Sequence, residues 1–183
     1  MMQIHSRHFL RPFLWIGCAA LLAWPAAARA LGPGGDVYFG YSRLGANTFY
    51  ANTPGLNGWE AAGHIHLIPF FGAELDVAHY GLGAAAATPR TTTVLLGPRL
   101  TVGVAGIHLF VHGLAGWEHT ANNGAPPNPI SSSGLAVAAG GGVDFRILPF
   151  FAWRINADYI NAPMQSPSSS SHDRFGTGLV FRF

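Results

Sequence analysis

The 183-residue chain has no lysine; all ten of its basic residues are arginine. Charged residues of both signs make up only 10% of it, against about 25% in an ordinary soluble domain. A wall facing water would need more charge than that. There is one cysteine, Cys18. After residue 30 no apolar run approaches the roughly 18 residues that a membrane helix needs. With 49% hydrophobic residues, these shortages exclude a disordered chain, a nucleic-acid binder and a lysine-coated cytosolic enzyme. They leave a β-rich protein whose outer surface need not face water.

The composition that is present divides at residue 30. Residues 1–30 are expected to be a cleaved secretory signal, and residues 31–183 the functional domain. Arg7, His8 and Arg11 form a basic start, Phe13 to Trp24 is an apolar core, and small Ala28 and Ala30 stand at −3 and −1 of a cleavage site. Cleavage after Ala28 and a retained anchor are the alternatives. Gly17-Cys18 faintly matches a lipoprotein box, but Trp15 stands where such boxes want leucine. Loss of this segment removes the only thiol, and with it disulfides, Cys metal sites and Cys nucleophiles. It also removes Arg7, Arg11 and Arg29, leaving seven arginines against eight acidic residues.

Residues 31–183 read as eight short runs rich in β-branched and aromatic side chains: 35–43, 57–68, 70–81, 91–102, 106–119, 133–147, 150–161 and 173–183. Each is about as long as a tilted membrane strand. Four long connections rich in Asn, Pro, Ser and Gly (44–56, 82–90, 120–132, 162–172) alternate with three tight ones, near Pro69, Gly103–Gly106 and Pro149. Long loops at one end and short turns at the other predict an eight-stranded antiparallel up-and-down transmembrane β-barrel, with both chain ends on the short-turn side. An internal echo supports the registration: PFFGAELDVAHY (69–80) aligns with PFFAWRINADYI (149–160).

Alternate residues of a strand face opposite ways, and the charges obey that rule. Glu74 and Asp76 oppose Leu75 and Val77. Asp144 and Arg146 oppose Val143 and Phe145. Arg154, Asn156 and Asp158 oppose Trp153, Ile155, Ala157 and Tyr159. The charges are too sparse to solvate an outer wall and nearly balance in sign. They are therefore expected to neutralise one another in a narrow lumen, as a structural network of Glu60, Glu74, Asp76, Arg99, Asp144, Arg146, Arg154, Asp158 and Arg174. The apolar rings then face hydrocarbon and sort into two belts. Tyr41, Trp59, Trp117, Tyr159 and Phe175 stand toward the long loops; Phe71, Phe151, Phe181 and Phe183 stand toward the short turns.

The final strand, DRFGTGLVFRF, alternates Leu179, Phe181 and Phe183 and ends on Phe183. With LLGPRLTV (95–102) and residues 140–160, it resembles the small outer-membrane barrels of the OmpA-like, opacity-type porin family across essentially all of 31–183. The resemblance implies that Phe181 and Phe183 act as a terminal signal to the barrel assembly machinery. It implies periplasmic chaperones and outer-membrane lipid as partners, and placement in the outer membrane of a Gram-negative-type cell. The chain stops at Phe183, so the peptidoglycan-binding periplasmic domain of full-length OmpA-type proteins is not expected, nor is cell-wall anchoring.

Sharper chemistry has weaker support. His119 with Ser131–Ser133 or Glu118 could form a nucleophile–base set in a lipid-modifying barrel, but the serines stand in a low-complexity run. His64, His66 and His112 share lumen parity without a diagnostic metal spacing. The expected role is structural, adhesive or recognitional, with an extracellular partner met through the four long loops. No catalytic, metal or cofactor residues and no nucleic-acid partner are expected. Narrow porin-like passage of small or apolar molecules is the alternative, and a lipid-modifying enzyme the second.

Overall fold

The structure, a computed structural model, describes residues 34–45, 55–82, 90–121, 131–162 and 170–183. The expected signal segment, Cys18 and the centres of the four long connections lie outside the described residues. Eight strands form one closed sheet in chain order: β1 (Gly35–Leu44), β2 (Leu56–Ile68), β3 (Phe71–Tyr80), β4 (Arg90–Val104), β5 (Ile107–Ala121), β6 (Ser131–Leu148), β7 (Phe151–Ala162) and β8 (Ser170–Arg182). Every neighbouring pair is antiparallel, and β8 pairs with β1 from Asp36↔Arg182 to Leu44↔Arg174. The last residue completes the seam: Gly35 N–H donates to Phe183 O and Phe183 N–H to Gly35 O, both at 3.1 Å. Closure leaves no sheet edge unpaired, as strands in hydrocarbon require.

Each short turn follows from its residues. Ala105 and Gly106 both have positive φ, 52° and 88°, the signature of a two-residue type I′ hairpin, with glycine at the second position. The Pro69–Phe70 and Pro149–Phe150 turns each follow a register shift, between His66 and Ile68 and between Arg146 and Leu148. The 69–80 and 149–160 echo is thus one hairpin geometry used twice, on walls four strands apart. Strands β6 and β8 begin earlier than their apolar content suggests, at Ser131 and Ser170. The ladder is made by backbone groups, and Thr120↔Ser132 and Ala121↔Ser131 pair as readily as apolar residues do.

The wall is inside-out relative to a soluble protein. Phe39 is 62% exposed, Leu179 57% and Trp153 44%, whereas Asp76, Asp144 and Arg174 are 0% and Arg154 1%. Aromatic rings collect at both rims. Phe151 lies 5.4 Å from Phe181, which lies 6.5 Å from Phe183 at the short-turn end; Phe39 stacks on Trp59 at 6.2 Å toward the other. Polar atoms on outward rings find partners on the wall: Tyr41 Oη donates to Asn57 at 2.6 Å and Trp153 Nε1 to Thr177 at 2.9 Å.

Glycine makes room for the charged interior. Arg154 faces Gly178 across the ladder, Arg99 faces Gly72 and Glu60 faces Gly40. Gly140 is paired on one side with His112 and on the other with Asp158. Those two side chains meet across it, and a Cβ at Gly140 would run into the Asp158 carboxylate and the Ala157 carbonyl. Gly140→Val is expected to lower barrel stability by about 1–3 kcal/mol, the usual cost of overpacking a filled interior. The midpoint of urea unfolding, read as loss of the heat-modifiable gel band, measures it; an unchanged midpoint refutes it.

Candidate functional site

The lumen is organised around buried guanidinium groups. In its short-turn half, Arg154 binds Asp144 with two parallel bonds, Nε to Oδ1 at 2.7 Å and Nη2 to Oδ2 at 2.9 Å, and reaches Asp36 at 3.1 Å. Arg99 donates to Glu74 at 2.9 Å and lies 3.4 Å from Asp36. The two like charges share the Phe110 ring, whose centroid is 3.9 Å from the Arg99 guanidinium carbon and 4.6 Å from that of Arg154, and are bridged by Asp36 and Asp144. Each cation lies over an electron-rich face, and both draw on Asp36. Asp36 also faces His64 Nδ1 at 3.0 Å.

In the other half Arg174 gathers three carboxylates: Asp76 at 2.6 Å, Asp158 at 2.7 Å and Glu60 at 3.9 Å. Asn156 donates to Glu60 at 2.9 Å. His112 joins the halves, with Nδ1 3.0 Å from Glu74 and Nε2 2.6 Å from Asp158. The imidazolium form supplies an N–H donor to each carboxylate.

Eight of the nine residues read from the sequence as lumen residues are buried in this assembly: Glu60, Glu74, Asp76, Arg99, Asp144, Arg154, Asp158 and Arg174. Arg146 is a correction. Its parity matches that of Asp144, but it is exposed. It stands two residues beyond Asp144, where β6 emerges at the short-turn rim, so alternation alone could not tell lumen from mouth. Asp36 is the residue that sequence reasoning missed. Alternation along β1 sets Asp36, Tyr38 and Ser42 against Val37, Phe39 and Tyr41, and that pattern was the available signal. The terminal Phe181 and Phe183 are half-buried at the short-turn rim; Ala28 and Ala30 lie outside the described residues.

Toward the long connections the interior changes character. Leu44, Leu56, Ala78, Tyr80, Leu95, Leu114, Ala136, Ala138, Ile160 and Ala162 form one buried apolar cluster. Strict parity predicts polar inward positions here; many are instead apolar, with buried Ser42, Thr93 and Glu118 interleaved among them. Tyr80 Oη meets Ser42 Oγ at 3.3 Å beside that layer. The apolar cluster thus stacks on the paired-ion network along the barrel axis.

The other candidates settle apart. His119 Nδ1 lies 2.7 Å from Ser133 Oγ, on the exposed outer face near the long-connection end. Glu118, the acid next to it in sequence, is fully buried on the lumen side, so the three do not converge. His79 Nδ1 pairs with Thr92 at 2.8 Å on the same outer face. His66 stacks edge-on against His64 at 4.4 Å and faces the Gly34 carbonyl. Among the described residues no three His, Cys, Asp or Glu side chains are placed to hold a metal ion.

No protein-family model and no curated protein matches the sequence. Solved structures match the fold. Neisserial surface protein A (NspA) superposes with a TM-score of 0.64 at 8% identity, covering 82% of this chain and 97% of that one. Ail, the attachment invasion locus protein of Yersinia pestis, in complex with the heparin analogue sucrose octasulfate, gives 0.57 at 17% identity, covering 82% and 99%. The N-terminal β-barrel domain of Pseudomonas aeruginosa OprF gives 0.53 at 16% identity, covering 82% and 97%. The fold that the OmpA-like resemblance implied is present.

Removing one member of a buried ion network leaves its partners uncompensated, at about 3–5 kcal/mol. Arg154→Ala is expected to cost that much, because Asp144 and Asp36 both lose a donor. Arg146→Ala, at the exposed rim, should fall within about 0.5 kcal/mol of the unchanged chain. Equilibrium unfolding of the two variants side by side checks the pair; equal midpoints contradict it.

Proposed function

We propose that the chain is an exported outer-membrane barrel that conducts no solute and works through its long-connection end, as a surface-recognition or adhesion protein. The closed interior carries this reading: a paired-ion plug beneath an apolar layer leaves the wall and the long connections as the surfaces free to meet a partner. Binding on such scaffolds sits in loops held by a rigid frame. Among proteins of the same fold, one is described as a surface protein and another as an attachment invasion locus protein bound to a heparin analogue; both descriptions are compatible with this role. The export signal over 1–30, the periplasmic chaperones and assembly machinery, and the partner met outside belong to the same proposal. The barrel interior has no part in catalysis here.

Two measurements test it. The barrel reconstituted in planar bilayers should give no stepwise ion currents; reproducible steps would favour the porin alternative. Cells displaying the chain should adhere to heparin-coated or epithelial surfaces more than cells displaying a variant whose 46–54 and 122–130 segments are replaced by Gly-Ser linkers of equal length. Equal adhesion, with both proteins showing the same heat-modifiable mobility, would contradict the recognition role.

A further inference from the structure

The charges of the lumen are unevenly placed along its axis. Among the described residues, the short-turn half holds Arg99 and Arg154 in the lumen and Arg146 and Arg182 at its mouth, against Asp36, Glu74 and Asp144. The long-connection half holds Arg174 against Glu60, Asp76, Asp158 and Glu118. The excess of arginine therefore lies at the short-turn mouth.

The surplus cation is solvent-accessible. Asp144, the nearest carboxylate, is already held by both nitrogens of Arg154 and accepts from Arg182 at 2.9 Å. Asp36 is held by Arg154, Arg99 and His64. Both are shared among other cations, and Arg146 is exposed and makes no ion pair among the described residues. Arg182 keeps a side-chain exposure of 20% and lies 3.0 Å from His108 Nδ1. His108 pairs across the ladder with Asp144, two residues before Arg146, and the Arg146 backbone is bonded to Gly106, two residues before His108, so the three groups share one corner of the mouth.

The surroundings leave that corner open. Glycine stands at 103, near the end of β4 opposite His108, and at 106 in the β4–β5 turn. A Cβ on Gly103 would strike the His108 ring, and a Cβ on Gly106 would stop 3.8 Å from the Arg146 guanidinium. Arg146 N–H donates to Gly106 O at 2.9 Å, which pins β6 over the turn.

We propose that this mouth is an oxyanion site, in which Arg146 and Arg182 flank His108 and grip a phosphate group. Planar guanidinium forks match phosphate oxygens with paired charge-assisted bonds. The unneutralised charge raises the local anion concentration before contact. The phosphate comes either from a soluble molecule entering the mouth or from a phospholipid headgroup at the rim. Only the compartment that the mouth faces rests on the outer-membrane reading; the chemistry does not.

The test uses the full chain refolded in a phosphate-free amine-oxide micelle, with heat-shifted gel mobility confirming the closed barrel. Inorganic phosphate is titrated while the Arg Nε and His ring resonances are followed by NMR. In a parallel arm the barrel is placed in nanodiscs of phosphatidylcholine with and without phosphatidylglycerol. The expected result is saturable movement of the Arg146, Arg182 and His108 signals, with apparent Kd raised about tenfold or more in Arg146→Gln, the loss expected for one charge-assisted bond. Movement on adding phosphate identifies a soluble source, and movement on adding phosphatidylglycerol a headgroup. If neither arm moves these signals in a heat-modifiable barrel, or if Arg146→Gln binds phosphate as tightly, the site does not exist. Failure of the mobility control would instead count against the barrel itself.

Discussion

A guanidinium enclosed by eight strands cannot stand without carboxylates, and most of this molecule follows from that constraint. Burying an ion is costly and is offset only by a partner at hydrogen-bond distance with good geometry. Arg154, Arg99 and Arg174 therefore dictate where Asp144, Asp36, Glu74, Asp76 and Asp158 must point, and so dictate register. A slip of one residue in any strand would turn its charges toward the apolar exterior. The glycines opposite these side chains are the steric counterpart of the same demand, because a lumen this narrow has no volume for a Cβ beside a guanidinium–carboxylate pair.

The period-two alternation was legible because it records which side of one sheet each residue faces, and β3, β7 and β8 state it plainly. The strand count followed from the eight β-branched and aromatic runs, and the order of long and short connections from the turn residues between them. Alternation says nothing about height along the strand, which is why Arg146 reads like Asp144 and yet belongs to the mouth. It also says nothing about which inward residues meet across the lumen. That His112 joins Glu74 to Asp158 depends on Gly140 and on barrel closure, and no local pattern in β5 encodes it. The apolar layer around Leu95, Leu114 and Ile160 was obscured for a related reason: an inward leucine and an outward leucine look alike in one dimension.

The two ends of the cylinder differ in kind. Toward the long connections, an apolar cluster fills much of the described interior and aromatic residues mark the outer wall. Toward the short turns, the interior opens on arginine and histidine, with the terminal phenylalanines packed outside. Such polarity is what a protein facing two different aqueous compartments would carry. Each end carries one proposed role: recognition at the long connections, and oxyanion binding by Arg146, Arg182 and His108 at the short turns. The paired ions between them hold the frame rigid.

The central claim is that the apolar face of each strand meets hydrocarbon while the charged face is sealed within. Single-cysteine substitutions from residue 152 to 159 on β7, spin-labelled in a lipid bilayer, test it most directly. The account predicts that oxygen accessibility alternates with period two, high at 153, 155, 157 and 159 and low at 152, 154, 156 and 158. The opposite phase, or no alternation in a chain that retains its heat-modifiable mobility, would contradict it.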